Sequence, residues 1–147
     1  MKMTNKEYAK YVKKVTPNSK LIPNMIKAFV VGGLICCAGQ GILDGMKAAG
    51  LSEESAATAT SIILVFLGAL LTGVGIYDDI AKFGGAGTLV PITGFANSVV
   101  SPALEFKTEG YITGTAAKMF IIAGPVIVFG IASSIVYGIA LVLFKLV

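Results

Sequence analysis

Three stretches of this chain are apolar for longer than the roughly 20 residues a helix needs to cross a bilayer. The first runs from about Leu21 to Leu43, with Lys27 placed to snorkel. The second, Ser55–Tyr77, is 23 residues without a charge, and the last, Met119–Phe144, is 26 uncharged residues between Lys118 and Lys145. A fourth uncharged stretch, Phe83–Leu104, is 22 residues long but of different character. It contains GGAGTLVPITGFANSVVSP, with two prolines, four glycines and several hydroxyl and amide side chains. Such a sequence makes a poor helix.

The pattern predicts an all-α integral membrane protein. Its membrane domain, residues 21–147, has three transmembrane helices and one Gly/Pro-broken or re-entrant segment at 83–104. A basic amphipathic N-terminal helix over residues 1–20 precedes it. Thr4-Asn5-Lys6-Glu7 fits a capping box. Tyr8, Tyr11, Val12 and Val15 follow at helical spacing, with Lys6, Lys10, Lys13 and Lys14 on other faces. Pro17-Asn18 is expected to end that helix. Membrane lipids are its expected partner, because a basic amphipathic helix beside a span lies on anionic headgroups. Docking onto a soluble partner is the competing reading; nucleic acid is not expected.

Small and polar residues within the spans carry the remaining local information. Gln40 and Asp44 are four apart and share a helix face near the outer end of the first span. Gln40 reads either as an interhelical hydrogen-bonding group or as a pore-lining one. Met46–Glu54 reads as a short polar loop, with Ser52 and Ser55 available to cap the next helix. Ala69 and Gly73 offer a close-packing face in the second span, which Asp78-Asp79 is expected to close. Gly130, Ser134 and Gly138 form a small-residue ridge in the last. Pro125 is placed to bend the last helix. Glu105–Lys118 reads as a mixed-charge hydrophilic connection.

Composition narrows the chemistry. The 147 residues are 55% hydrophobic and only 14% charged, against about a quarter charged in a soluble domain. All twelve basic residues are lysine, and histidine is absent. Imidazole catalysis and His-ligated metal sites are therefore excluded within the chain, and any bidentate arginine clamp must come from elsewhere. Cys36 and Cys37 are adjacent, which disfavours pairing, and two thiols do not make a metal cage. No metal and no cofactor are expected. The Lys-rich start lacks the short n-region and A-x-A site of a cleavable signal, so the first span is expected to serve as its own insertion signal.

Charge also sets an expected orientation. Up to Lys27 the chain holds seven lysines and one glutamate, whereas Asp44–Glu54 holds one lysine and three acids. The positive-inside rule puts the amino terminus in the cytoplasm. If Phe83–Leu104 crosses there are four spans; if it re-enters there are three.

Irregular backbone survives at membrane depth only against protein or water. Gly84, Gly85 and Gly87 permit unusual dihedrals and close approach, while Pro91 and Pro102 are hinge or kink positions. Thr88, Thr93, Asn97, Ser98 and Ser101 supply neutral donors and acceptors, and with Gln40 they form the candidate lining of an anion pathway. The alternative is a kinked packing helix whose polar groups bond to neighbours. The glycine run has no GK[ST] continuation, so a nucleotide P-loop is not expected.

The segments FVVGGLICCAGQ, GVGIYDDIAKFGGAGTLVPITGFANSVVSPALEFKTEG and GPVIVFG, spread over nearly the whole chain, resemble the SpoVAC/SpoVAEB family of endospore-forming Firmicutes. The resemblance implies a multi-pass subunit of the SpoVA complex in the spore inner membrane. That complex moves dipicolinic acid, as calcium dipicolinate, into the forespore during sporulation and out during germination. The implied partners are SpoVAEB, the soluble SpoVAD protein and further operon products. The family supplies no catalytic residues to carry over. Dipicolinate is a dianion at neutral pH, and a pathway without a fixed strong cation suits rapid release. A chain this small is expected to share its pore with other subunits. A non-conducting scaffold and a stand-alone stretch-gated channel are the alternatives. An intramembrane enzyme is not expected, because Asp44, Asp78 and Asp79 sit at helix ends rather than paired at depth.

Overall fold

The computed structural model describes residues 4–16 and 19–144, all helical or in short connections. Pro17-Asn18 and Lys145 lie outside them. Helix α1 (Asn5–Val15) begins at a complete capping box: Thr4 accepts from the Glu7 N–H, and the Glu7 carboxylate accepts from the Thr4 N–H at 2.9 Å. Its apolar residues Tyr8, Tyr11, Val12 and Val15 are all exposed.

Three helical stretches are long and apolar enough to cross a membrane: α2 (Leu21–Ala48), α3 (Glu53–Gly73), and the 33 residues Tyr111–Leu143 that contain α6 (Ala117–Leu143). Helix α2 outruns its predicted end. Residues expected in a loop from Met46 continue the helix to Ala48, and the chain turns where Gly50 adopts φ +92°. Lys47, favoured in a last helical turn, reaches Glu53 in the first turn of α3 at 2.9 Å. Ser52 caps α3 by accepting from the Ser55 N–H.

The second predicted span is corrected more substantially. Helix α3 stops at Gly73, and Gly75 takes a left-handed φ of +80°, open to glycine without a Cβ penalty. A separate helix, α4 (Ile76–Gly84), starts there with Tyr77, Asp78 and Asp79 in its first turn. The two acids therefore open a helix rather than close one, which is where the macrodipole favours negative charge.

After α4, Gly85 takes φ +52°, Gly85–Leu89 form a 3-10 turn, and α5 (Pro91–Glu105) follows. Pro91 occupies the first turn of α5, where its missing N–H leaves no bond unmade. Pro102 lies within α5, whose helix continues past it to Glu105. At about 22 Å, α5 is shorter than a hydrocarbon core of about 30 Å.

The direction of α5 follows from two contacts. Gly68 of α3 faces Thr93, and Thr72 bonds Asn97. Both pairs are separated by the same offset in sequence, so α5 runs parallel to α3. The unit α4–turn–α5 is a helical hairpin that comes back toward the end of α3 from which it started.

The predicted hydrophilic connection Glu105–Lys118 shrinks to a tight turn. Gly110 takes φ +99°, and a π-helical stretch Tyr111–Ala116 runs directly into α6. The turn closes because Gly114 seats against the Phe106 carbonyl and Glu109, where a Cβ would have no room. Pro125 is inside α6, and the helix continues through it to Leu143.

Candidate functional site

Nearly all of the predicted polar and glycine residues gather where the hairpin meets α2 and α3. Gly87 packs directly on the α2 backbone at Ala28, and a Cβ at Gly32 would approach the Gly87 carbonyl to 3.1 Å. Gly84 is buried against Val31, whose side chain would stand 2.8–2.9 Å from an added Cβ. The glycine run is therefore a place where two backbones meet, as small residues allow in membrane helices. Gly85 is exposed and supplies the left-handed hinge instead.

Above this contact lies a buried hydroxyl cluster. The Tyr77 hydroxyl, on a residue 3% exposed, donates to the Thr88 carbonyl at 2.8 Å and lies 3.4 Å from Thr93 Oγ1. Thr88 Oγ1 donates to the Gly85 carbonyl at 2.9 Å. Tyr77 thus satisfies a carbonyl that the short 3-10 turn leaves without a regular helical partner. Thr88 and Thr93 are 5% and 7% exposed, so their polar groups hold the hairpin and do not line an open passage.

One turn further along α5 the character changes. Thr72 Oγ1 donates to the Gly68 carbonyl at 2.7 Å and reaches the Asn97 side-chain amide at 2.9 Å. The Thr72 hydroxyl thus lies between two acceptors, the Gly68 carbonyl and Asn97 Oδ1, and with one proton it donates to one of them at a time. Asn97, Ser101 and Thr72, with Asp78 and Ala81 of α4, border a hollow of about 230 Å³. That is smaller than the roughly 300–1,000 Å³ of a self-contained ligand pocket. Lys82 reaches Asp78 at 2.6 Å and Asp79 at 3.4 Å. Ser98, half-buried, donates to the Phe95 carbonyl at 2.8 Å.

Gln40 does not belong to this group. It is exposed on α2, donates to Asp44 at 2.9 Å, and lies two helical turns beyond Gly32, about 12 Å along the axis. The small-residue calculus of α3 also shifts by one position. Its buried face is Ala56, Thr60, Leu64 and Gly68, whereas Gly73 meets nothing within 4 Å and Ala69 is only half-buried. A single-residue shift turns a helix by about 100°, enough to move a contact off its face. Gly130 and Gly138 likewise meet nothing within 4 Å, and Ser134 is exposed. Cys36 and Cys37 are free and exposed.

Sequence reasoning missed Tyr77 and Thr72. Tyr77 closes the predicted span Ser55–Tyr77 and Thr72 lies inside it, yet each makes the bond that fixes one limb of the hairpin. Their only sequence signal is a hydroxyl residue within one turn of Gly73–Gly75.

The profile of the SpoVAC/SpoVAEB sporulation membrane protein family matches residues 24–140. The chain belongs to that family. It is 47% identical over 139 residues to "Stage V sporulation protein AC" of Bacillus subtilis (strain 168), covering 92% of this chain and 93% of the relative. The family match takes in α2, the whole hairpin and most of α6, and begins after α1. The family therefore fixes a membrane protein of sporulation. No solved structure matches the chain.

Proposed function

We propose that the chain is a channel or transport subunit of the SpoVA complex, carrying dipicolinic acid or its calcium chelate across the spore inner membrane. In this reading it does no enzymatic chemistry, its amino terminus is cytoplasmic, and SpoVAEB and SpoVAD are among its partners. The hairpin enters the membrane from the cytoplasmic side and returns to it, leaving three crossings. The observation that carries the proposal is the short α5, held parallel to α3, with Asn97 and Ser101 turned to a polar hollow beside Thr72. A 15-residue helix that begins inside a membrane, at Pro91, needs water or protein beyond that end. With the bordering Asp78 carboxylate paired to Lys82, the neutral amide and hydroxyl groups there replace part of a solute's hydration without holding it. The hollow's small size favours a pathway completed by other subunits.

Dipicolinate flux in cells carrying Asn97→Leu tests this. Lost flux with intact complex assembly supports the pathway, and unchanged flux sinks it in favour of a non-conducting scaffold. A stand-alone stretch-gated channel instead requires conductance from the purified chain in liposomes.

A further inference from the structure

A larger hollow, about 390 Å³, lies between the Gly84–Ala86 hinge and the first turns of α2. Its lining pairs polar Ser19, Asn24 and Lys27 with apolar Leu21, Met25 and Phe83. Lys27 Nζ stands 4.8 Å from the centroid of the Phe83 ring, a geometry that orients the ammonium. Lys82 also borders the space, but Asp78 and Asp79 already neutralise it. Among the described residues no carboxylate lies in ion-pair range of Lys27.

One available cation, two neutral hydrogen-bonding side chains and an apolar wall match a ligand with an anionic head and a hydrocarbon body. We propose that this hollow seats an anionic phospholipid, its phosphate on Lys27 and an acyl chain leaving past Met25 and Phe83 toward the bilayer interior. Those two side chains are 60% and 58% exposed. They offer nothing to a free phosphate ion but suit an acyl chain. Lys27 lies six residues into α2, about 9 Å along the axis, from where its long side chain reaches headgroup level. The lipid's other wall is the Gly84–Ala86 hinge itself, so the occupant touches the hairpin where its direction changes.

The test is native mass spectrometry of the full-length chain released from bilayers of mixed phosphatidylcholine and phosphatidylglycerol. The wild type is expected to retain phosphatidylglycerol in excess over its share of the bilayer. Lys27→Gln should lower that excess about fivefold, the effect of one lysine near a charged surface, while Lys27→Arg keeps it. Met25→Glu, which leaves Lys27 in place but puts a carboxylate in the acyl wall, should lower it too. Retention equal to wild type in both Lys27→Gln and Met25→Glu overturns the proposal. So does displacement of the lipid by inorganic phosphate, which would mark a site for the free anion, and so does an equal loss in Lys10→Gln, which would mark diffuse attraction.

Discussion

The two ends of the molecule use the same residues to opposite effect. Around Val31 and Gly87, glycines bring backbones into contact: an added Cβ at Gly84 or Gly87 collides with α2, and one at Gly68 stands 3.1–3.2 Å from Thr93 and Ala96. Along the second half of α6, Gly130 and Gly138 face open space, among Ile131, Val136, Val142 and other large side chains more than half exposed. In both regions glycine recurs in apolar sequence. What differs is whether a neighbour approaches, so a small residue in a membrane helix permits a contact without specifying one.

The contrast can be broken most sharply at its extremes. Gly87→Val should unseat the hairpin and destabilise the purified protein by more than about 3 kcal/mol, the upper range for overpacking, read as a lower midpoint of thermal unfolding in detergent. Gly130→Val should leave that midpoint within about 0.5 kcal/mol of wild type, as a surface substitution does. A comparable loss at Gly130 would mean that α6 is packed within the chain after all. Between these lies Tyr77→Phe, which strips the Thr88 carbonyl of its donor and should cost about 1–3 kcal/mol. Thr72→Val, tested the same way, removes a half-buried hydroxyl and should cost less, about 1 kcal/mol.

The smallest effect belongs to α1. The Glu7 carboxyl is held below its ordinary value by the Thr4 backbone N–H first and the Thr4 hydroxyl second. A depressed carboxylate contributes stability above its unfolded pKa and loses it as pH falls through the folded one. Protection of the first-turn amides of α1, taken as exchange relative to the intrinsic rate at the same pH, should therefore fall modestly on acidification below the usual carboxylate range. Thr4→Ala should abolish that dependence.

Much of the fold was legible because hydrophobic length is a robust signal. The three long helices follow from it, whereas the irregular stretch between Gly84 and Pro91 has a separate signal, its glycines and proline. Boundaries were less so. Met46–Ala48 looked like loop because of their neighbours' polarity, but the helix ran on until Gly50 could turn it. The division at Val74-Gly75 was hidden because Ser55–Tyr77 carries no charge to mark an end. Of the site, the cluster from Gly84 to Ser101 was visible as a group of odd residues. Its partners on α2 and α3 were not, since Ala28, Val31 and Gly68 are ordinary in a span and acquire meaning only from what packs on them. Gln40 was drawn in by polarity alone and satisfied instead by Asp44 on its own helix.

The parallel run of α5 along α3 also bears on the order of biosynthesis. The surface that receives the hairpin is assembled from α2 and α3, both of which precede it in the chain. Both parts of that docking ground therefore leave the ribosome before the hairpin does, and α6 emerges last of all.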